Sequence, residues 1–231
     1  AGSSMLDIKS TTAGLLIPRM TETQRNAVGS PATGLMIYQI DGPSGFYYYN
    51  GIAWTAVSGA GSTGHYIGEL VGGGVVFWVY ATGQHGLIAS MIDLNTACAW
   101  SNVTTTLIGP AAQSDWDGIS NSNTIVSQSG HTSSAAKICL DYINADFGTG
   151  VYSDWYLPSN LELNHLWNNL FEVQKALESA GNPATTTIGK FNYWSSTEYT
   201  NSYAWYFSFN SGYPSNYSKN STYCVRAVRA F

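Results

Sequence analysis

Charge, cysteine and long apolar runs are all scarce in this chain. Only 10% of its 231 residues are charged, and the formal net charge is -5 at pH 7. It therefore lacks the basic surface by which proteins usually bind nucleic acid. The longest apolar stretch, Val75 to Ala81, is far shorter than the roughly 20 residues of a membrane-spanning helix. We expect no nucleic-acid partner and no membrane insertion.

Patterns that would indicate catalysis or metal binding are also missing from the sequence. The four histidines do not have the spacing of metal ligands, and no nucleophile elbow is present. The segment from Ser114 to Gly118 (SDWDG) carries two carboxylates but not the remaining ligands of a calcium loop. We therefore expect no enzymatic activity and no metal or other cofactor.

The three cysteines, an odd number, cannot all pair within one chain. They are Cys98, Cys139 and Cys224. Two alternatives remain open at this point: a bridge between Cys98 and Cys139, or a free Cys139 buried on a helix.

Tyrosine, serine, asparagine and threonine are abundant, and they concentrate near the end of the chain. Between Tyr199 and Cys224 these four residue types make up most of the sequence. Disordered polar tracts are poor in aromatic residues, so we expect this segment to be folded. Tyrosine with serine and asparagine is the composition of antibody binding loops, in which stiff rings supply contact and small polar groups supply adaptable hydrogen bonds. The composition predicts a binding surface.

A second regularity concerns the codons that this segment requires. Apart from Trp205 and Lys219, every residue from Tyr199 to Cys224 can be encoded by a codon that ends in a pyrimidine. Changing only the adenines of an asparagine codon gives tyrosine, serine, threonine and the other residue types found here. The residue types of this segment are therefore those that changes at the adenines of asparagine codons can produce.

Three further motifs accompany this pattern. They are WYLPS (155–159), YWSSTE (193–198) and the terminal VRAVRAF (225–231). With them, roughly residues 66–231 resemble the variable proteins of diversity-generating retroelements, in the subgroup with a formylglycine-generating-enzyme-like C-type lectin fold. In such proteins reverse transcription randomises template adenines while framework residues stay fixed. The resemblance implies an α+β fold, with two helices packed on an antiparallel sheet and long ordered loops.

The resemblance also implies a ligand-binding face within the variable region, about 192–231, and a scaffold that supports it. The face would consist of Tyr199, Thr200, Asn201, Ser202, Tyr203, Tyr206, Ser208, Asn210, Ser211, Tyr213, Ser215, Asn216, Tyr217, Ser218, Asn220, Ser221 and Tyr223. The scaffold would consist of Trp155, Trp194, Glu198, Trp205, Gly212, Arg226 and Arg229. The implied partner is a protein or glycan receptor on a target cell, and the implied location is a phage tail or a bacterial cell surface. The alternative is a structural fibre or pilus-like module without diversification.

The chain is expected to divide into residues 1–58, a linker at 59–64 and a domain at 65–231. The first part is a small β-rich attachment or oligomerisation unit. It resembles segments of phage tail-fibre and bacterial surface proteins, which implies a homo-oligomer such as a trimer. Thr21 with Gln24 forms a capping box, and Asn50-Gly51 predicts a hairpin with a type I′ turn.

Within the second part we expect two strands, an irregular stretch and then two helices. The sequences HYIGELVGGGVVFWVY and LIASMI read as the strands, and residues 93–131 as irregular. The glycines at 72–74 indicate a bulge or a close backbone contact. One helix is capped by Thr132, Ser133 or Ser134 and carries an apolar face as far as Ile143. The other runs from Ser159, capped with Glu162, to Leu177.

Two arginines lie in the otherwise apolar final segment. Because an unpaired buried charge is costly, we expect at least one of Arg226 and Arg229 to pair with Asp154, Glu162 or Glu198. The alternative is a pair of arginines that face solvent.

Overall fold

The computed structural model describes residues 9–42, 44–57 and 64–231. The chain forms two compact units, 1–63 and 64–231. The expected linker lies outside the described residues, except for Gly64. No helix in the described part of the chain is long and apolar enough to cross a membrane.

The first unit is a four-stranded sheet with one short helix. In chain order its elements are β1 (Arg19–Met20), α1 (Glu22–Asn26), β2 (Met36–Gln39), β3 (Gly45–Tyr49) and β4 (Trp54–Ala56). The strand order is β1-β2-β3-β4, with β1 parallel to β2 and the other pairs antiparallel. The expected capping box starts α1, since Thr21 and Gln24 exchange side-chain to backbone hydrogen bonds of 2.9 and 3.2 Å. That prediction is confirmed.

The hairpin of β3 and β4 is confirmed, but its predicted turn type is wrong. Tyr49 pairs with Trp54, so the loop holds the four residues 50–53 rather than two. A type I′ turn needs a positive φ at both central residues, whereas only Gly51 has one in this loop (+99°). The side-chain oxygen of Asn50 instead accepts hydrogen bonds of 2.8 Å from the backbone N–H groups of Ile52 and Ala53. These bonds stabilise the longer loop.

The second unit contains two sheets and four α-helices, a mixed architecture consistent with the α+β class. Its strands are β5 (Leu70–Val71), β6 (Gly74–Val79), β7 (Gly86–Ser90), β8 (Asn95–Ala99), β9 (Asn192–Glu198), β10 (Tyr203–Ser208), β11 (Tyr213–Ser218), β12 (Thr222–Val225) and β13 (Val228–Ala230). One sheet has the order β11-β10-β9-β12-β8 and the other β13-β7-β6-β5. The larger sheet is mixed rather than purely antiparallel, because β12 returns to lie parallel to β9.

The helices are α2 (Gly118–Ser127), α3 (Ala135–Leu140), α4 (Asn160–Asn168) and α5 (Leu170–Ser179). The expectation of an irregular segment at 93–131 is wrong, because that segment contains β8 and α2. Helix α3 is capped by Ser134 but ends at Leu140, so Ile143 is exposed rather than part of its apolar face.

The second expected helix is in fact two helices. Ser159 and Glu162 form the predicted capping box at its start. The helix is interrupted at Asn169, whose side-chain amide donates to the backbone oxygens of Phe77 (3.0 Å) and His165 (3.2 Å). The bond to Phe77 ties the junction of α4 and α5 to β6.

The glycines at 72–74 divide the first expected strand into β5 and β6. Gly72 and Gly73 have φ values of +62° and +82° and form a tight hairpin turn between Val71 and Gly74. A Cβ atom on Gly74 would lie 2.1 Å from the backbone oxygen of Ala89. The predicted close backbone contact is therefore confirmed, although the strand is not continuous.

The larger sheet has an apolar cluster on each of its two faces. Tyr193 and Phe207 pack with Leu163 and Leu166 of α4 in one cluster. Trp194, next to Tyr193 in β9, packs with Trp100 in the other. Successive side chains of a strand point to opposite faces, so the sequence of β9 places one aromatic ring in each cluster.

Candidate functional site

The first feature of the site is a face of the larger sheet that carries aromatic and small polar side chains. Tyr206 of β10 lies opposite Trp194 of β9 on one side and opposite Ser215 of β11 on the other. Alternation along the strands brings further residues to the same face. We call this set the aromatic face: Trp194, Tyr206, Ser208, Tyr213, Ser215, Tyr217 and Tyr223.

The rings of the aromatic face contact one another, from a buried ring at the base to rings that reach solvent. Tyr223 lies at the centre, with its ring centroid 4.7 Å from Tyr206, 4.6 Å from Trp194 and 6.3 Å from Tyr217. Trp194 is fully buried, and its indole N–H donates to the backbone oxygen of Cys98 at 2.8 Å. Each such ring pair contributes about 0.5–1.5 kcal/mol beyond its buried area. A rigid base therefore supports rings that reach solvent.

Exposure increases from this base towards the edge of the sheet. Tyr217 is 52% exposed and Tyr213 is 72% exposed, because β11 is the edge strand. Burial, followed by the nearby Tyr206, raises the pKa of Tyr223. Its hydroxyl is therefore a neutral hydrogen-bonding group at physiological pH.

A groove of about 380 Å³ runs beside these rings. Ser208, Asn210 and Tyr223, all predicted contact residues, line it together with Thr96 and Asn192. Hydroxyl and amide groups dominate this lining, so the groove can offer both donors and acceptors to a ligand.

None of the seventeen predicted contact residues is buried in the structure. They do not all share one face, however. Tyr203, Asn216 and Ser218 point to the opposite side of β10 and β11, according to the register of the strands. The remaining predicted residues lie in the connections at 199–202, 209–212 and 219–221. The structure thus distributes the set over the aromatic face, the opposite side of β10 and β11, and the adjoining loops.

Lys219 is a scaffold residue that the sequence reasoning did not assign. Its side chain is fully buried, and its Nζ lies 2.6 Å from a carboxylate oxygen of Glu198. The same Nζ donates to the backbone oxygen of Asn201 at 2.9 Å and lies 4.8 Å from the centroid of a ring of Trp100. Burial lowers the pKa of Lys219, while its hydrogen bond to Glu198 acts in the opposite direction. One signal for this role was present, since Lys219 is an exception to the codon pattern.

Glu198 is held from a second side as well. Its carboxylate accepts hydrogen bonds of 2.8–3.0 Å from the backbone N–H groups of Ile108 and Gly109. This carboxylate therefore joins three segments: the loop before α2, the turn from β9 to β10 and the turn that carries Lys219.

Arg226 and Arg229 are both buried, so the alternative of two solvent-facing arginines is wrong. Arg229 makes a two-pronged contact of 2.7 and 2.8 Å with Asp154, which confirms one predicted pairing. This hydrogen bonding from Arg229 lowers the pKa of Asp154. Arg226 pairs instead with Asp93 at 2.7 Å, which is none of the three predicted partners. Both contacts fix the final segment of the chain.

The other scaffold residues occupy different environments. Trp155, like Trp194, is fully buried. Trp205 is half-buried, with its ring 5.2 Å from that of Tyr199. Gly212 has a φ of +77°, and a Cβ there would lie 2.8 Å from the ring of Trp167.

The structure decides between a bridge from Cys98 to Cys139 and a free, buried Cys139. All three thiols are free, with Cys139 and Cys224 buried and Cys98 half-buried. The described residues contain no group of three or more histidine, cysteine or carboxylate side chains that could hold a metal ion.

The second unit is thus a mixed α/β domain whose surface presents aromatic rings together with hydroxyl and amide groups that can form hydrogen bonds. Residues 89–229 match the family model of the Lcl C-terminal domain. The chain belongs to this family, because the match covers more than half of it. Residues 1–67 match the model of a phage tail like trimerisation region. The comparison with curated proteins found no match.

These two matches support the resemblance to variable proteins of diversity-generating retroelements. The formylglycine-generating-enzyme-like subgroup stays a prediction. The match at 1–67 also supports a homotrimer.

Proposed function

We propose that this chain is a receptor-binding protein that displays a diversified Tyr/Ser/Asn surface on a C-type lectin scaffold. It would act at a phage tail or on a bacterial cell surface and would catalyse no reaction. The observation that carries the proposal is the separation of environments within residues 192–231. None of the seventeen predicted contact residues is buried, whereas Trp194, Glu198 and Lys219 of the same region are buried.

This separation allows the surface to change without loss of the fold. Substitutions at Tyr213 or Ser215 alter exposed contacts on an edge strand, where most replacements change stability by less than about 0.5 kcal/mol. The buried residues hold the same strands and turns in place whatever the surface sequence is. Tyrosine rings would then supply the contact area and the small polar residues the hydrogen bonds that select a partner.

A homotrimer would add avidity to this mode of binding. Three copies on one particle make the second and third contacts intramolecular, so that individual sites of modest affinity suffice. The target would be a protein or glycan receptor on a cell surface.

The alternative function, a structural fibre module, is favoured by one observation. Strand β11 is an exposed sheet edge, and such edges pair readily with other chains. Pro214 within β11 opposes this pairing, because proline has no N–H to donate. In a structural module the aromatic face would be covered in the assembled oligomer, whereas in a receptor-binding protein it stays accessible.

Cell binding by the intact chain tests the proposal. The fluorescently labelled protein is incubated with a panel of bacterial strains, and bound label is measured by flow cytometry. We expect Tyr206→Ala and Tyr217→Ala each to reduce the affinity for a labelled strain by at least about tenfold, as hot-spot tyrosines do. Tyr66→Ala is the matched control, since Tyr66 is 65% exposed and lies outside the variable region. Equal losses of affinity in all three variants, or binding of the labelled protein to none of the strains, would count against the proposal.

A further inference from the structure

The four-stranded sheet of the first unit has one covered face. Ile37 and Tyr47 are buried there. The guanidinium of Arg25, from α1, lies 4.7 Å from the ring centroid of Tyr47 and donates to the side-chain oxygen of Gln39. Helix α1 thus closes this side of the sheet.

The opposite face of the same sheet is apolar and exposed. Tyr38 and Phe46 lie opposite each other on β2 and β3, with their ring centroids 5.1 Å apart in an edge-to-face contact. Met36 also belongs to this face through alternation along β2. Phe46 and Met36 are each 44% exposed. We call this the outer face of the sheet.

An exposed apolar segment lies against the outer face. Leu15 and Leu16 are 66% and 72% exposed. With Ile17, Tyr38, Phe46 and one charged residue, Arg19, they line a groove of about 320 Å³. Contiguous exposed apolar surface of this kind marks an interaction site on a soluble protein.

We propose that the outer face, with Leu15 and Leu16, is the contact surface between copies of this chain in the homotrimer. Three observations select a second copy as the occupant. The match to a trimerisation region spans residues 1–67 and so includes the whole face. A unit this small buries only a modest share of its surface and is marginally stable by itself, so contact with a second copy would stabilise it. The opposite face is already covered by α1.

Three-fold symmetry also suits this surface. Around a three-fold axis the two patches that meet are different parts of the chain. The segment at Leu15 and Leu16 and the wall formed by Tyr38 and Phe46 are two such patches on one subunit. The inference rests on the proposed homotrimer and does not depend on the identity of a receptor.

The first test is the molar mass of the intact chain, measured by light scattering. The unaltered protein is expected at about three times the chain mass of 24.9 kDa. Phe46→Asp places a charge in the outer face and is expected to reduce the mass by about threefold. Ile52→Asp is the control, because Ile52 is 89% exposed in the β3–β4 loop, and it should remain trimeric. A trimeric Phe46→Asp variant, or dissociation of both variants, would overturn the inference.

Photo-crosslinking gives a second test that needs no destabilising charge. Benzoylphenylalanine replaces Phe46 in one protein and Ile52 in another, and both are irradiated and run on denaturing gels. We expect crosslinked dimers and trimers only for the protein with the photo-reactive residue at position 46. The assignment would be refuted if position 46 gave no crosslinks, or if position 52 crosslinked to the same extent as position 46. The Tyr206→Ala and Tyr217→Ala variants should keep the trimer mass, so a failure of receptor binding is distinguishable from a failure of this interface.

Discussion

Lys219 and Glu198 form an ion pair whose two side chains are fully buried. We predict that Lys219→Met destabilises the second unit strongly. Methionine is close to lysine in length but carries no charge. The Glu198 carboxylate would remain 2% exposed, with the backbone N–H groups of Ile108 and Gly109 as its remaining donors.

The size of the effect follows from the burial of the pair. Removing one partner of a buried ion pair costs about 3–5 kcal/mol, because the other charge is left uncompensated. For a domain of this size each kcal/mol lowers the melting temperature by about 2–4 °C. We therefore expect the melting temperature of the second unit to fall by roughly 6–20 °C.

The assay is thermal unfolding of the intact chain, followed by tryptophan fluorescence. A double variant, Lys219→Met with Glu198→Gln, provides the internal comparison. Glutamine removes the stranded charge while its side-chain oxygen can still accept from the backbone N–H groups, so the double variant should be more stable than Lys219→Met alone. Two results would refute this prediction. One is a Lys219→Met variant with the melting temperature of the unaltered protein, and the other is a double variant that melts at a lower temperature than Lys219→Met alone.

Three further predictions concern the rest of the scaffold. Arg226→Met strands the Asp93 carboxylate and should cost about 3–5 kcal/mol, whereas an unchanged melting temperature would remove Arg226 from the scaffold. Gly212→Ala should lower the free energy of unfolding in urea more than Gly130→Ala does. Both glycines have a positive φ, but only at Gly212 would a Cβ atom meet another side chain. Equal losses of unfolding free energy in the two variants would contradict this prediction. Ionised Asp154, whose pKa is lowered below 3.8 by Arg229, stabilises the fold above pH 3.8, and this contribution is lost as the pH falls through its folded pKa. Since the carboxylate is 58% exposed, Asp154→Asn should cost at most about 1 kcal/mol at pH 7. This cost should shrink as the pH falls below 3.8, and a pH-independent cost would contradict the assignment.

Local signals in the sequence were sufficient for several elements. The capping boxes at Thr21 and Ser159 each involve two residues three apart, so that both partners are visible in a short segment. The exposure of the variable residues followed from composition, because tyrosine with serine and asparagine suits a contact surface better than a core.

The features that were missed depend on contacts distant in sequence. Helix α2 is polar and has no apolar period, and it is held by bonds such as that from Ser122 Oγ to the backbone oxygen of Leu157. The break at Asn169 depends on the backbone oxygen of Phe77, 92 positions away. Lys219 and Glu198 are likewise separated by 21 positions. No pattern within a short window specifies such partners.

The central claim is that the exposed residues of the variable region are diversified for binding while the residues beneath them are fixed. Sequencing the locus that encodes this chain tests it most directly. The account predicts a reverse transcriptase gene and a near-copy of the segment encoding residues 192–231, differing only where the copy has adenine. The differences should fall on exposed positions such as Tyr213 and Tyr217 and spare the codons of Trp194 and Lys219. Absence of the copy, or differences that change the buried residues as often as the exposed ones, would contradict the account.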